Sequence, residues 1–173
     1  PNMATMLCFL ATDAAVQPAA LRRALRSAVE TSFNRISVDG DMSTNDTVLL
    51  LANGQAGNRP LSPAHPGWAR FCEALDAATR RLARMVVLDG EGATKCVTVA
   101  VSGAATPTDA RKAARAIARS LLVKTSWFGG DPNWGRVICA AGYSGAQVDE
   151  RKTQILFDDV CVYDKGRIAD EAT

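Results

Sequence analysis

Apolar and polar positions change period several times along the chain, and each change marks a predicted element. The chain opens on Met3, Met6, Leu7, Cys8, Phe9 and Leu10, bounded by a turn signal at Asp13, which is the pattern of a buried strand. From Pro18 to Phe33 the period becomes helical. Leu21, Leu25, Ala28, Val29 and Ser32 fall on one stripe, Arg22, Arg23, Arg26 and Glu30 lie mostly opposite, and Pro18 suits the first helical position. Ile36 and Val38 then alternate with polar residues, and Thr47 to Ala52 form a continuous apolar run. Two strands are predicted there, around a polar turn rich in Asp, Ser, Thr and Asn.

The stretch "QAGNRPLSPAHPG" reads as a loop, and a second helix follows from Trp68 to Leu88. Its core face is Trp68, Phe71, Leu75, Ala78, Leu82 and Met85, and it ends at the glycine-containing "DGEGATK". "KCVTVAVSG" predicts a strand with Val97, Val99 and Val101 on one face. "TPTDARKAARAIARSLL" predicts a helix with Thr106 as N-cap, Pro107 first inside and Asp109 as the acidic third residue. "GRVICAAGYSG", "KTQILF" and "VCVYDKG" predict three more strands, the last two joined at Asp158-Asp159. Strands outnumber helices in this order and include short hairpin connections. The pattern therefore predicts an α+β fold, with helices layered on mostly antiparallel sheets, rather than a doubly wound parallel sheet.

Composition narrows the function classes. With 173 residues, 47% hydrophobic and 22% charged, residues 1–173 are expected to form a single domain. A net charge of +2 gives no reason to expect nucleic acid or an anionic membrane surface as a partner. No apolar run approaches the roughly 20 residues of a transmembrane helix, and the first residues lack the basic start of a signal peptide. The cysteines, Cys8, Cys72, Cys96, Cys139 and Cys161, are odd in number and make no C-x-x-C pair. They read as buried thiols in a reducing cytoplasm, not as a metal site or disulfide framework.

Few residues offer chemistry. The one histidine, His65, sits between prolines in a predicted surface loop without the context of a catalytic triad, and reads as a solvated bystander. Asp39, Asp41, Asn45 and Asp46 resemble a calcium loop, but the spacing and the closing Glu are missing, so a polar turn is expected and no metal. "DGEGATK" is rich in glycine and ends in Lys, yet it leaves a helix, where the dipole disfavours an anion. Within it Glu91 lies between two glycines, where it could hold a ligand's ammonium group or be an exposed turn residue; spacing alone favours the turn. "GGDPNWGR" reads as a rigid corner with Trp134 packed inside. Thr5 follows Ala4 in the opening strand. A hydroxyl there ordinarily hydrogen-bonds a neighbour, whereas a Thr that becomes an N-terminus can use its own α-amine as base.

Taken together, "PNMATML", "SFNRISVDGDMSTNDTVLLLANG", "DGEGATK", "LLVKTSWFGGDPNWGRV" and "GYSG" resemble the β-chain of the ornithine acetyltransferase family of arginine biosynthesis, in order from Pro1 to about Gly166. The resemblance implies that family's self-processing fold and a precursor that cuts itself at an Ala-Thr bond, here Ala4-Thr5. Residues 1–4 would precede the cut, and residues 5–173 would be a β-chain lacking the family's C-terminal extension. It further implies that Thr5 is the nucleophile and a lining residue of the substrate site, and that Glu91 binds the substrate's amino group. Acetyl would pass from N-acetylornithine to Thr5 and then to glutamate, with no cofactor; some members also take acetyl-CoA as donor. The implied partners are an α-chain of the same precursor, which supplies the oxyanion-stabilising residues and a substrate-binding lysine, and a second αβ pair that completes a heterotetramer.

Two other readings fit the same residues. A related self-processing aminopeptidase or amidohydrolase would let water replace glutamate as acceptor. A non-catalytic structural subunit would keep the Ala4-Thr5 bond whole.

Overall fold

The computed structural model describes residues 6–169. They fall into two compact units, Pro1–Ala93 and Thr94–Thr173. In the first, strand β1 (Leu7–Thr12) is followed by helix α1 (Pro18–Thr31), a 3-10 turn at Phe33–Arg35, strand β2 (Thr47–Ala52) and helix α2 (Trp68–Leu88). β1 and β2 pair in parallel with unbroken register, from Leu7 opposite Thr47 to Thr12 opposite Ala52. A parallel pair needs a long crossover, and α1 provides it.

The strand period of two assigns the faces. Cys8, Leu10, Val48 and Leu50 pack toward the helices, where Met6, Cys8, Phe33 and Ala83 form one buried cluster and Ala24, Ala28 and Leu75 a second. Along α1 the most buried residues are Ala20, Ala24 and Ala28; of the expected stripe Ala28 is buried, while Leu21, Leu25 and Val29 are half-buried. Small side chains on that line permit close approach of α1 to its neighbours. Thr79 and Ser32 are buried too, and both hydroxyls donate to carbonyls of their own helix, Leu75 at 3.0 Å and Ala28 at 2.6 Å.

The other face of the pair is apolar and open among the described residues: Leu7 is 64%, Phe9 67%, Leu49 44% and Leu51 62% exposed. Parallel strands that are apolar on both faces are ordinarily covered on both.

α2 runs opposite to the strands. Its first half, Trp68, Phe71 and Cys72, packs with Leu10 and Leu50, and its second half, Leu82, Ala83 and Val86, packs with Met6 and Cys8. Its bounds agree with expectation, except that Met85, expected in the core, is exposed.

The second unit holds helices α3 (Pro107–Arg119), α4 (Leu121–Phe128) and α5 (Trp134–Gly142), a 3-10 turn at Glu150–Lys152, and strands β3 (Gln154–Phe157), β4 (Val160–Asp164) and β5 (Arg167–Ile168). α3 starts as its sequence specifies, with Pro107 first and the Thr106 hydroxyl accepting from the Asp109 N–H at 3.1 Å. The three strands form an antiparallel meander. Its turns use left-handed backbone, at Asp158 (φ 52°) between β3 and β4, and at Lys165 (φ 48°) and Gly166 (φ 89°) between β4 and β5. Two consecutive positive φ values make the second a tight primed hairpin, which the glycine accommodates. Helices with two antiparallel pairings and one parallel pairing constitute an α+β fold.

Three expected strands are absent. "GRVICAAGYSG" is helical instead: Asn133 caps α5 by accepting the Arg136 N–H at 3.1 Å, and Ala140 and Ala141 are buried with Val137 packed against them, at helical spacing. A short apolar run does not by itself distinguish strand from helix. "KCVTVAVSG" makes no ladder among the described residues; Val99 packs against the cluster of Ile117, Val123, Ala140 and Ala141, but no strand lies beside it to pair. Ile36 and Val38 likewise lie in irregular chain after the Phe33–Arg35 turn, with Ile36 tucked against the Met6 cluster.

Candidate functional site

Ala4 and Thr5, the residues expected at the cleavage site and as nucleophile, lie outside the described residues. The structure begins at the residue bonded to Thr5, and that residue is firmly held. The Met6 N–H donates to Asp46 Oδ1 at 2.8 Å, and the Met6 carbonyl accepts from the Thr47 N–H at 3.2 Å. The Met6 side chain is 8% exposed and sits in the cluster with Phe33 and Ala83.

Asp46 is fixed in turn, since its Oδ2 accepts the Ser43 N–H at 3.0 Å. The rest of the polar segment is a chain of local turns. Asp39 accepts from the Asp41 N–H at 2.8 Å, Ser43 Oγ accepts from the Asn45 N–H at 2.9 Å, and Thr47 Oγ1 donates to the Asn45 carbonyl at 2.8 Å. Asp39 and Asp46 thus serve backbone amides, and no group of metal-ligating side chains is found among the described residues.

Glu91 stands exposed at the tip of the turn after α2. The Ala93 N–H donates to the Gly90 carbonyl at 2.9 Å to close that turn, and Gly92 takes a φ of 67° that a side chain would strain. The Glu91 carboxylate has no partner among the described residues, so it is free to meet a cation from outside. Because α2 runs antiparallel to β1, this turn lies at the end of the unit where β1 begins. Val86, near the end of α2, packs on the Met6 cluster, and a Cβ placed on Gly90 would lie 3.7 Å from Val38 Cγ1. The two regions singled out in the sequence, 85 residues apart between Met6 and Glu91, are thereby brought to one end of one unit.

Other candidates resolve into structural roles. His65 Nδ1 accepts the Gly67 N–H at 3.0 Å and braces the turn into α2, with no carboxylate or hydroxyl bonded to it among the described residues. Lys95 Nζ donates to the carbonyls of Trp127 and Phe128 at the C-terminus of α4, so the lysine of "DGEGATK" caps a helix. Trp134 stacks on Tyr163 with ring centroids 4.9 Å apart, the packed corner expected of "GGDPNWGR", although the corner opens a helix and not a strand. All five cysteines are free; Cys139, expected to be buried, is exposed because α5 turns Ala140 and Ala141 to the core instead. Burial pushes the Cys8 and Cys72 thiols above their ordinary range, with Asp76 adding to the effect at Cys72, so neither is an activated nucleophile.

Open clefts in the second unit include one of about 390 Å³ beside Lys112, Arg115, Arg119 and Tyr143 and one of about 590 Å³ beside Cys139 and Arg151. Neither is lined by Met6, Asp46 or Glu91. The contact that sequence reasoning missed is the one from Asp46 to Met6. Its signal was present, as a carboxylate placed immediately before the β2 run, but it read as one more turn residue.

Comparison with known proteins identifies the family. The model of the ArgJ family matches residues 1–173. The arginine biosynthesis bifunctional protein ArgJ of Geobacter sulfurreducens is 54% identical over 169 residues, covering 98% of this chain and 43% of that protein. That of Symbiobacterium thermophilum is 57% identical over 160 residues, covering 92% and 40%. The chain therefore spans about two fifths of the length of these relatives. The crystal structure of the Bacillus halodurans protein of the same name superposes with a TM-score of 0.92 at 44% identity, covering 96% of this chain and 78% of that one. Matched from end to end by the family model, and more than half identical to the Geobacter and Symbiobacterium relatives, the chain belongs to the ArgJ family.

Proposed function

We propose that this chain is the nucleophile-bearing β-portion of a glutamate N-acetyltransferase of arginine biosynthesis, with Thr5 carrying acetyl from N-acetyl-L-ornithine to L-glutamate. The observation that carries the reading is the anchoring of Met6 by Asp46, at the same end of the unit as the exposed, unpartnered carboxylate of Glu91. A nucleophile must be held in place, and a substrate ammonium needs a counter-charge close by.

In the proposed cycle, hydrolysis of the Ala4-Thr5 bond consumes one water and leaves a free α-amine on Thr5. An alkyl hydroxyl is a weak nucleophile at neutral pH, but an α-amine with a pKa of about 7.7–8.0 can accept its proton. The Thr5 oxygen attacks the acetyl carbonyl of N-acetylornithine. The C–N bond breaks, the proton passes through the Thr5 amine to the departing nitrogen, and ornithine leaves an acetyl ester behind. The glutamate amine then attacks that ester, restoring the hydroxyl and releasing N-acetylglutamate. Glu91 pairs with the substrate ammonium. No cofactor takes part, and acetyl-CoA enters only as an alternative acetyl donor.

The partner in this reading is the α-chain of the same precursor, with a second αβ pair completing a heterotetramer. The open apolar face of Leu7, Phe9, Leu49 and Leu51 supports it, since a surface of that kind asks for a cover. The cytoplasm is the compartment proposed, in keeping with five free thiols. No helix among the described residues is long and apolar enough to cross a membrane.

The test replaces the matched segment of the full-length Geobacter sulfurreducens relative with this chain. Intact mass is expected to show cleavage at Ala4-Thr5, acetyl is expected to be trapped on Thr5, and transfer to glutamate should far exceed release of acetate. Thr5→Ala should abolish cleavage and transfer together, while Thr5→Ser retains some of each. Predominant hydrolysis would favour the amidohydrolase reading. A bond that stays whole in the folded hybrid would favour a structural subunit, and transfer by the Thr5→Ala variant would refute the acyl-enzyme.

A further inference from the structure

We infer that Asp46 is a positioning residue for Thr5, acting through the peptide that joins Thr5 to Met6. The inference rests on the reading of Thr5 as nucleophile and adds a residue to it. In a parallel ladder an amide at the entry to a strand ordinarily finds its partner in a backbone carbonyl. At Met6 that place is taken by a side-chain carboxylate, Asp46 Oδ1 at 2.8 Å. The second oxygen accepts the Ser43 N–H at 3.0 Å, so the carboxylate cannot swing about its own bond without losing one of the two.

Three restraints converge on Met6. Its N–H is held by Asp46, its carbonyl by the Thr47 N–H at 3.2 Å, and its side chain by the buried cluster with Phe33 and Ala83. The latter two fix the strand downstream of the peptide that reaches Thr5. Among the described residues only Asp46 holds the nitrogen that belongs to that peptide, and a planar peptide transmits the orientation of its N–H to the carbon on the other side. A misplacement of about 1 Å at a reacting group costs on the order of a hundredfold in rate. Asp39, which also accepts a backbone amide in the same polar segment, bonds to Asp41 and has no such connection.

The experiment uses the full-length hybrid described above, in four forms: unsubstituted, Asp46→Ala, Asp46→Asn and Asp39→Ala. Folding is checked by circular dichroism, and rates are expressed per folded molecule. Asp46→Ala is expected to slow both self-cleavage and kcat for transfer by about ten- to a hundredfold, with KM for N-acetylornithine within twofold. Asp46→Asn, which keeps one acceptor oxygen, should fall between, and Asp39→Ala should match the unsubstituted protein.

Exchange of the Met6 amide hydrogen, read by mass spectrometry, should accelerate in Asp46→Ala. If that exchange accelerates while kcat per folded molecule is unchanged, Asp46 is a structural cap only and the inference falls, leaving Thr5 as nucleophile intact. A rise in KM with kcat unchanged would also overturn it. If Thr5→Ala in the same hybrid still transfers acetyl, the reading of Thr5 fails instead, whatever Asp46 does.

Discussion

Phe33 offers the most direct test of how the start of β1 is supported. Its side chain is 0% exposed and lies in the cluster with Met6, Cys8 and Ala83. Truncation to alanine removes a whole ring from beneath the first strand. Deletions of this kind cost about 3–5 kcal/mol, and the cost is lower where neighbours can move into the space. Here the surrounding Leu10, Val29, Ile36, Val48, Leu82 and Val86 are only partly buried and have some freedom to collapse, which places the expectation near the low end, about 3 kcal/mol.

Leucine keeps much of the volume, and Phe33→Leu should cost about 1–1.5 kcal/mol. Because the protein has more than one unit, the readout should be local rather than a single unfolding midpoint. Native-state hydrogen exchange of the β1 and β2 amides supplies it: about 3 kcal/mol corresponds to roughly a hundredfold faster exchange, against about tenfold for leucine. Unchanged protection in Phe33→Ala, or leucine as damaging as alanine, would refute the claim that this ring supports the strand.

The remaining expectations can be checked with the same hybrid. Glu91→Ala should raise KM for N-acetylornithine about tenfold, the loss of roughly one charge-assisted contact, and an unchanged KM would return Glu91 to a turn residue. Thr106→Ala should destabilise the first turn of α3 by about 1 kcal/mol, seen as faster exchange of the Asp109 amide; equal exchange would mean that its 3.1 Å bond contributes nothing. Burial raises the Cys8 thiol above its ordinary value of 9.0, so the folded state holds that proton longer than the unfolded state does. Its stabilising contribution is whole below about pH 9 and declines as pH rises through the shifted value. Alkylation of Cys8 at pH 8 should accordingly lag far behind that of the exposed Cys139, and equal rates by peptide mass spectrometry would contradict the burial.

How much of this was legible in the sequence depended on whether local chemistry or a distant partner decides each element. α2, α3 and β2 were readable because their own residues set their limits: a capping Thr106 with Pro107 behind it, or an apolar run bounded by polar turns. The segment from Cys96 to Val101 alternates like a strand, but a strand exists only where another lies beside it, and alternation carries no information about that neighbour. α5 was misread because nine residues rich in Val, Ile, Cys and Ala fit either period; the deciding signal was the single Asn133 before them.

The candidate site divides the same way. Spacing alone favours a turn residue at Glu91 and gives Thr5 no privilege over any other threonine; the resemblance raises both. Asp46 escaped because its partner is an amide 40 positions away, which no local pattern announces.

The length of α2 carries one last implication. At about 1.5 Å and 100° per residue, its 21 residues form a rod that begins beside the far ends of the strands and delivers Glu91 beyond its tip. Inserting a single alanine midway would leave the neighbours of Glu91 in sequence untouched, yet would swing the acidic tip more than a quarter turn about the rod's axis. The reach of that carboxylate is thus set by arithmetic along a helix, many residues before the turn that displays it.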